Sequence, residues 1–444
     1  MKKTETKNSN NTHIVLGVIF AIIFLSPLFI HLNPPLKLAN FYIELPKVYS
    51  GDEPHYLIIV NSLVEDHDFD LWNNYEAVRL NRTDDMGARF LGWEGDHHTV
   101  FVKGSSFVRW REIFTSSLNR VPGKEEFDLT GYSEYTFHPI GLPLLSSLLL
   151  FQFAHSEYLE PAAIILTCLV ALTGMYFLFL LLLFYSKRRM LSILITGLFA
   201  FSTPLWHYSR SAFTEAYTSS LLIISLYCIL VKKRYALAGF LMGLAFFMKY
   251  PMALLAGVLV AYLTLKRQYK GAVEFCIPFG SFSIIQLSAN SILFGSMFQF
   301  SIPAGFHFEI FKQFWHVLFS EVHGLFAFAP FLIFSVIGFY YLIKEDWQLG
   351  VLCLTLVIIF LLFFTVAFGR DEYSYASREV LPIILLFSLP FIFWLKQKKQ
   401  IKVLIATFFI FITASIVINF FSVLGHDHVF ARPVGDILRL FLTF

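Results

Sequence analysis

Long apolar runs separated by short polar stretches dominate the pattern along this chain. They recur from residue 14 to residue 422 and are fifteen to twenty-four residues long, and a helix needs about 20 apolar residues to cross a bilayer. The runs lie at 14–32, 139–155, 161–184, 190–207, 213–231, 235–249, 251–265, 272–293, 324–343, 348–368, 380–395 and 401–422. This pattern predicts an all-α polytopic membrane protein.

The longest polar stretch is 33–138. We predict that it forms most of a large first outer loop, 33–160, with helices that lie along the membrane surface. The first apolar run follows three lysines and is not succeeded by a small-x-small cleavage site, which predicts an uncleaved first span. The predicted organisation is one transmembrane domain over 1–422 and a short outer C-terminal tail over 423–444.

Clusters of Lys and Arg between the runs indicate the sidedness, because basic residues accumulate in cytoplasmic loops. Half of the 34 basic residues fall in six such clusters. The clusters are Lys2 to Lys7, Lys187 to Arg189, Lys232 to Arg234, Lys266 to Lys270, Lys344, and Lys396 to Lys402. This assignment puts the N-terminus in the cytoplasm and most acidic residues outside.

Two runs do not fit a simple series of spans. The sidedness is consistent only if 139–155 does not cross, which leaves eleven spans; its start, HPIGLP, suits a short helix at the outer leaflet. The stretch 235–265 has basic clusters at both ends and Lys249-Tyr250-Pro251 in its middle. One helix there would be roughly 45 Å long, against a hydrocarbon core of about 30 Å. We therefore predict a hairpin with Lys249 just below the outer surface.

Composition and motifs exclude several classes of protein. Of the 444 residues, 57% are hydrophobic and 15% charged, and the net charge of +3 comes from short clusters rather than one patch, so nucleic acid is not expected as a partner. The four cysteines lie inside apolar runs without CxxC spacing, which argues against a disulfide framework or a zinc site. No Gly-rich phosphate loop, GxSxG or HExxH motif occurs, so nucleotide hydrolysis, serine hydrolysis and zinc proteolysis are not expected.

The first candidate functional residues open the outer loop. The segment GDEPHYL places Asp52, Glu53 and His55 near the membrane surface. The apolar positions after it predict an amphipathic helix along that surface with carboxylates at its N-terminus. Carboxylates before a proline in a first helical turn are also ordinary capping residues. This segment alone leaves a functional and a structural role open.

Other ionisable residues stand alone at the outer ends of apolar runs, where such groups usually face a cavity or each other. They are His138, Arg210, Glu215, Lys249, His323, Arg370, Asp371, Glu372, Arg378 and Glu379. Simpler roles are open for some: Arg210 and Glu215 can form a salt bridge between spans, and Lys249 can reach outward to water. All of them lie on the same predicted side of the membrane as Asp52.

Several motifs in this order resemble the GT-C superfamily of polytopic glycosyltransferases, specifically the group related to protein O-mannosyltransferases and lipid A aminoarabinose transferases. The motifs are GDEPHYL, YTFHPIGLPLL, STPLWHYSRSAFTE, AGFLMGLAFFMKYP, and NSILFGSMFQF followed by HGLFAFAPFL and SYASRE. The resemblance implies that a sugar passes from a polyprenyl-phosphate donor, not a nucleotide sugar, to an acceptor on the outer side. It also implies that Asp52 is the catalytic carboxylate and Glu53 its partner.

The chemistry of such a transfer agrees with these residues. A sugar hydroxyl is a weak nucleophile near neutral pH, so a carboxylate such as Asp52 within about 3 Å can accept its proton. The leaving lipid phosphate needs fixed cations, for which Lys249 and Arg378, and then Arg210, are the candidates. The candidate substrate-binding residues are His55, His138 and Glu215.

Some alternatives stay open at this point. Asp52, Glu53 and His55 could hold a divalent cation, and no other cofactor is expected. The main functional rival is a flippase for lipid-linked sugars or another transporter. Transporters tend to have internal repeats and ionisable groups near the bilayer midplane, and neither is evident here.

The sequence does not specify the sugar, the polyprenol or the acceptor. The expected partners are the polyprenyl-phosphate-linked sugar, an acceptor that is a lipid, glycan or protein, and membrane lipids. The external sequon Asn81-Arg82-Thr83 would be glycosylated in an endoplasmic reticulum, and the compact loops are typical of a bacterial protein. We therefore expect a bacterial inner membrane with the active face in the periplasm.

Overall fold

The structure is a computed structural model that describes residues 17–32, 41–48, 52–79, 99–104, 106–109, 131–136, 138–298, 310–367, 375–397, 402–425 and 432–442. Within these ranges, helices occupy the predicted apolar runs. The prediction of an α-helical, multi-pass membrane protein is confirmed by six helices that are long and apolar enough to cross a bilayer. These are Leu159–Ser186, Thr214–Lys232, Tyr269–Phe294, Trp347–Ala367, Arg378–Leu395 and Ala406–Leu424.

The N-terminal part of the described chain alternates short helices with short strands. The helices are α1 (Gly17–Leu28), α2 (Glu53–Glu65), α3 (Trp72–Arg79) and α4 (Gly141–Leu150). The strands are β1 (Ile30–Leu32), β2 (Phe41–Ile43), β3 (Thr99–Lys103), β4 (Ser106–Arg109) and β5 (Ser133–Thr136). β1 pairs with β2, and β3 lies between β4 and β5, all antiparallel. The sequence did not predict these strands, because three to five residues are too few for a clear alternating pattern.

Most helices after residue 158 fall in the apolar runs, whereas α12 and α18 lie outside them. They are α5 (Leu159–Ser186), α6 (Arg189–Phe201), α7 (Leu205–Ser209), α8 (Thr214–Tyr227), α9 (Tyr235–Met248), α10 (Met252–Leu265), α11 (Tyr269–Phe294), α12 (Ile310–Phe319), α13 (Leu325–Phe328), α14 (Ile333–Glu345), α15 (Trp347–Ala367), α16 (Ser388–Leu395), α17 (Lys402–Leu424) and α18 (Val434–Leu442). A π-helical turn extends α8 to Lys232, and a 3-10 helix (Arg378–Phe387) leads into α16.

These elements form two compact units, each built from separate stretches of chain. The first unit takes its described residues from Met1–Pro46, Thr167–Arg210 and His307–Phe444, and the second from Lys47–Leu166 and Ser211–Phe306. In the first unit, α14 packs against α15 and α16. In the second unit, α9 packs against α8, α10 and α11, and α4 packs against α2 and α9. Six candidate residues belong to this second unit: Asp52, Glu53, His55, His138, Glu215 and Lys249.

The hairpin predicted for 235–265 is confirmed. Its arms are α9 and α10, and Lys249-Tyr250-Pro251 joins them. Gly239 lets α9 approach α11 closely, since a Cβ atom at this position would collide with the backbone carbonyl of Phe275. Small residues at such contacts allow helix backbones to pack tightly in membranes. The close packing fixes the direction of α9 and therefore the position of Lys249 at its end.

Helix α2 corrects one prediction. The sequence predicted an amphipathic helix along the membrane surface, whereas every residue from Glu53 to Ser62 is buried. The polar positions of α2 find partners inside the protein: Asn61 Nδ2 donates to Glu65 Oε1 at 2.7 Å, and Ser62 Oγ donates to the Asp68 carbonyl oxygen at 3.2 Å. Because the polar groups are hydrogen-bonded, the helix can be buried on all sides. It is an interior element that holds the acidic pair at its start in a fixed position.

Candidate active site

Asp52 immediately precedes the first residue of α2, with Pro54 in the first turn. Its backbone has helical angles (φ −78°, ψ −14°), and the structure records no capping hydrogen bond from its side chain to this described helix. A capping residue normally has an extended backbone that brings its side chain over the helix N–H groups. The capping role left open by the sequence therefore does not explain the Asp52 carboxylate, whose side chain keeps 15% exposure.

His138 lies beside the Asp52 carboxylate. Its Nε2 is 3.9 Å from Asp52 Oδ1, an ion-pair distance rather than a direct hydrogen bond. The ring also lies against α2, with its centroid 5.8 Å from the ring of His55 and 5.2 Å from that of Tyr56. The stretch after β5 thus places an imidazole where it can bind the charged form of Asp52 or a substrate group.

His55 is fixed by a contact that the sequence did not indicate. Its Nδ1 is 2.6 Å from the hydroxyl oxygen of Tyr75, which lies on α3. Both side chains are buried. The hydrogen bond fixes the plane of the His55 ring, which in turn packs against His138.

Glu53 faces a different neighbour from Asp52. Its side chain is fully buried, and Oε1 accepts a 2.6 Å hydrogen bond from the backbone N–H of Ala212. Ala212 lies in the segment that leads into α8, so Glu53 connects the start of α2 to the start of α8. A role for Glu53 as the partner of Asp52 stays a prediction.

The contacts of Glu53 also bear on the metal hypothesis. Consecutive side chains on a helix point about 100° apart, so neighbouring carboxylates diverge unless the chain bends. Among the described residues, no group of three or more His, Cys, Asp or Glu side chains is placed to hold a metal ion. A divalent cation at Asp52, Glu53 and His55 stays a hypothesis with no support from this geometry.

Lys249 and Glu215 form a buried ion pair. Lys249 Nζ donates to Glu215 Oε1 at 2.7 Å, and the two side chains are 10% and 3% exposed. Lys249 is therefore buried inside the protein and does not reach outward to water; its depth below the outer membrane surface stays a prediction. The second carboxylate oxygen of Glu215, Oε2, is buried with no hydrogen-bond partner among the described residues. The pair brings the start of α8 and the end of α9 together at one charged position.

A close approach of α4 to α9 brings His138 and Lys249 into the same part of the second unit. A Cβ atom at Gly141 would collide with the backbone of Phe247 and Met248, the two residues before Lys249. Ile140 packs with Phe247 in the same apolar cluster. Only glycine at the start of α4 allows this contact.

Gly141→Ala is expected to lower the free energy of unfolding by about 1–3 kcal/mol, the usual cost of overpacking a rigid contact. Gly280→Ala on α11 is the matched control, because a Cβ atom there meets no atom within 4 Å. Thermal unfolding of both variants in the same detergent measures the difference. Equal melting temperatures for the two variants would contradict the close contact between α4 and α9.

Arg210 belongs to the first unit. Its Nη1 donates to the Val423 carbonyl oxygen at 2.6 Å, and its Nη2 lies 2.6 Å from His31 Nδ1. These contacts connect the segment after α7 to β1 and to the end of α17. They account for a structural role, and the binding of a donor phosphate by Arg210 stays a prediction.

Arg378 and His323 also lie in the first unit. Arg378 Nε is 3.3 Å from Glu379 Oε1, and the preceding residue, Ser377, donates its hydroxyl proton to the His323 carbonyl oxygen. Burial, with a smaller contribution from His316, lowers the pKa of His323 to about 4, so its ring is neutral at pH 7. The predicted candidates Arg370, Asp371 and Glu372 lie outside the described residues.

The sequence missed several residues of this arrangement. Tyr75 gave no signal, and Ala212 contributes only its backbone N–H, which no residue pattern indicates. Gln286 and Asn290 did carry a signal, because they are amides near the outer end of the apolar run 272–293. Both amides are neutral, so they do not stand out as ionisable residues in apolar surroundings.

The arrangement of these helices is similar to that of a solved protein, which supports the resemblance at the level of the fold alone. The chain is similar to ArnT from Cupriavidus metallidurans in the apo state, with a TM-score of 0.51 and 13% sequence identity over 97% of this chain and 68% of ArnT. The structure of that ArnT bound to undecaprenyl phosphate gives a TM-score of 0.46 and 13% identity over 96% of this chain and 68% of ArnT. No protein-family model and no curated protein matches the sequence. At this identity the likeness concerns the fold and assigns no residue a role.

Proposed function

We propose that this protein is a membrane glycosyltransferase that moves a sugar from a polyprenyl-phosphate donor to an acceptor on the outer face of the membrane. The observation that carries the proposal is the Asp52 carboxylate at the start of α2. It does not cap the helix, it remains partly exposed, and it lies 3.9 Å from His138. The buried pair of Lys249 and Glu215 belongs to the same unit.

In the proposed reaction, Asp52 accepts the proton of the acceptor hydroxyl. The hydroxyl oxygen then bonds to the anomeric carbon of the sugar while the bond from that carbon to the phosphate oxygen breaks. The electron pair of the broken bond leaves with the lipid phosphate. Lys249 supplies a fixed positive charge for the phosphate in a site of low dielectric constant, where such a charge stabilises the transition state most.

The other candidates complete the proposal. His138 and His55 orient the acceptor beside Asp52, and Glu53 holds the start of α2. Arg378 and Arg210 are proposed as further cations for the lipid phosphate, with Arg378 ahead of Arg210. Arg210 ranks last because its guanidinium already bonds to Val423 and His31.

We further propose one transmembrane domain over 1–422 with eleven spans, a cytoplasmic N-terminus and an outer tail over 423–444. The proposed location is a bacterial inner membrane with the active face in the periplasm. The count of eleven follows from the basic clusters, which are consistent with one side of the membrane only if 139–155 does not cross.

Cysteine labelling tests the topology. We expect Gln152→Cys and Glu157→Cys, at exposed positions on either side of the turn after α4, both to react with a membrane-impermeant thiol reagent added to cells with a permeable outer membrane. The four native cysteines are replaced by serine for this experiment. Labelling of Glu157→Cys only after the inner membrane is lysed would show that residues 139–155 cross, and would contradict the sidedness.

The transferase and the flippase differ in what they do in detergent, where a lipid has no second leaflet to reach. Mass spectrometry of lipid A, surface polysaccharide and proteins from cells with and without the chain identifies the acceptor as the molecule that loses one sugar mass. Purified protein in detergent is then given that acceptor and a set of undecaprenyl-phosphate sugars. Undecaprenyl phosphate is the polyprenyl phosphate bound to ArnT in one of the structures above. Formation of the glycosylated acceptor supports the transferase, and its absence with every donor contradicts it.

A further inference from the structure

A cluster of neutral polar side chains lies next to the Lys249 position and has no role in the mechanism above. Gln286 Nε2 donates to the hydroxyl oxygen of Tyr250 at 3.3 Å and to Asn290 Oδ1 at 2.8 Å. Gln286 and Asn290 are one turn apart on α11, and each is 1% exposed. Tyr250 follows Lys249 directly at the tip of the hairpin.

Two buried oxygen atoms on either side of this tip accept no hydrogen bond. They are Gln286 Oε1 and Glu215 Oε2, and neither has a partner among the described residues. Gln286 is connected to the tip through Tyr250, and Glu215 is connected to it through Lys249. A buried polar atom normally has a hydrogen-bond partner, so each of these two oxygens points to a ligand that supplies the missing hydrogen bond.

The kind of atom that lacks a partner limits the chemistry of this ligand. A carboxylate oxygen and an amide oxygen both accept hydrogen bonds, so the ligand must donate them. A phosphodiester at neutral pH has no proton to donate, whereas sugar hydroxyls donate and accept. Buried amides that hydrogen-bond a hydroxyl also reject ligands that lack it, because the amide would otherwise stay unpaired.

We propose that Gln286, with Tyr250 and Asn290 to orient it, binds a hydroxyl group of the donor sugar, and that Glu215 Oε2 accepts a second one. The inference rests on the proposed function and deepens it: Lys249 binds the phosphate of the donor, and this cluster binds and selects the sugar. The cluster is therefore a sugar subsite, separate in chemistry from the phosphate subsite beside it.

Binding of two lipids tests this division. Purified full-length protein is titrated by native mass spectrometry with undecaprenyl phosphate and with undecaprenyl-phosphate mannose, glucose and arabinose, and the sugar lipid that binds most tightly is used further. Gln286→Leu keeps the volume of the side chain but removes its polar atoms. We expect it to weaken binding of the sugar lipid about tenfold, as for the loss of one buried hydrogen bond, and to change binding of undecaprenyl phosphate less than twofold. Ser283→Ala is the matched control, because among the described residues the Ser283 hydroxyl bonds only to the Phe279 carbonyl oxygen of its own helix α11.

The outcomes separate this inference from the proposed function. If wild type binds neither lipid, the proposed function fails and the inference fails with it. If wild type binds both and Gln286→Leu weakens both equally or neither, the inference alone is wrong. A Gln286→Leu variant that does not fold would show no thermal unfolding transition and would not bind undecaprenyl phosphate. In that case Gln286→Asn replaces it. The shorter amide withdraws Oε1 from the sugar, and the same selective loss is expected.

Discussion

Asp52→Asn is expected to accumulate normally in the membrane and to lose sugar transfer by at least about a hundredfold. The amide keeps the size of the carboxylate but accepts no proton, and general-base catalysis contributes about 10²–10⁴-fold in rate. Since the structure records no capping bond from Asp52 to the described helix α2, little stability should be lost. The measurement is the rate of transfer from an undecaprenyl-phosphate sugar by purified protein, at equal amounts of folded wild type and variant.

Two companion variants make this result specific. Glu157→Gln removes an exposed carboxylate of the same unit and should leave the rate unchanged. Glu53→Gln keeps an oxygen that can accept the Ala212 N–H, so its loss of rate should be milder than that of Asp52→Asn. Transfer by Asp52→Asn within a few-fold of wild type would remove Asp52 as the general base. An equally severe loss of transfer rate in Glu53→Gln would instead support a divalent cation bound by both Asp52 and Glu53.

The features that could be predicted from the sequence are those that depend on neighbours along the chain. The hairpin follows from the length of an apolar stretch and one break at Lys249-Tyr250-Pro251, and the helices of the spans follow from runs of apolar residues. The burial of Glu215 and Lys249 against each other agrees with the expectation that ionisable residues in apolar runs face a cavity or one another. Each of these arguments needs only local sequence and the thickness of a bilayer.

The pairing of these residues could not be predicted, because it depends on how distant segments pack. Lys249 and Glu215 are 34 positions apart, and Arg210 and His31 are 179 apart. The sequence offered a salt bridge from Arg210 to Glu215, which are close along the chain. In the structure, Glu215 pairs with Lys249 and Arg210 contacts His31. Burial of α2 was missed for the same reason, since its apolar pattern is equally compatible with a lipid surface and with a protein interior.

The positive charge of Lys249 has two possible roles, to bind the phosphate of the donor and to neutralise Glu215, and an experiment must separate them. Lys249→Ala alone leaves the Glu215 carboxylate buried without its partner, and breaking such a pair costs about 3–5 kcal/mol of stability. A loss of activity in that variant would therefore not distinguish the two roles. The informative variant replaces both members, Lys249→Met with Glu215→Gln, so that no unpaired charge is buried.

We expect this neutral double variant to fold and to bind undecaprenyl phosphate about 10–100-fold more weakly than wild type, since hydrogen bonds to charged groups contribute about 1.5–3 kcal/mol. Undecaprenyl phosphate carries no sugar, so the loss of the Glu215 oxygens should not affect it. Glu215→Gln alone also breaks the pair but keeps the Lys249 charge, so it shows how much of the loss comes from the broken pair; we expect it to retain binding of undecaprenyl phosphate. Lys249→Arg should keep part of the affinity, because the charge remains while its geometry changes. Equal affinity for undecaprenyl phosphate in wild type and in the double variant would assign Lys249 to the ion pair alone and leave the phosphate of the donor to Arg378 or Arg210.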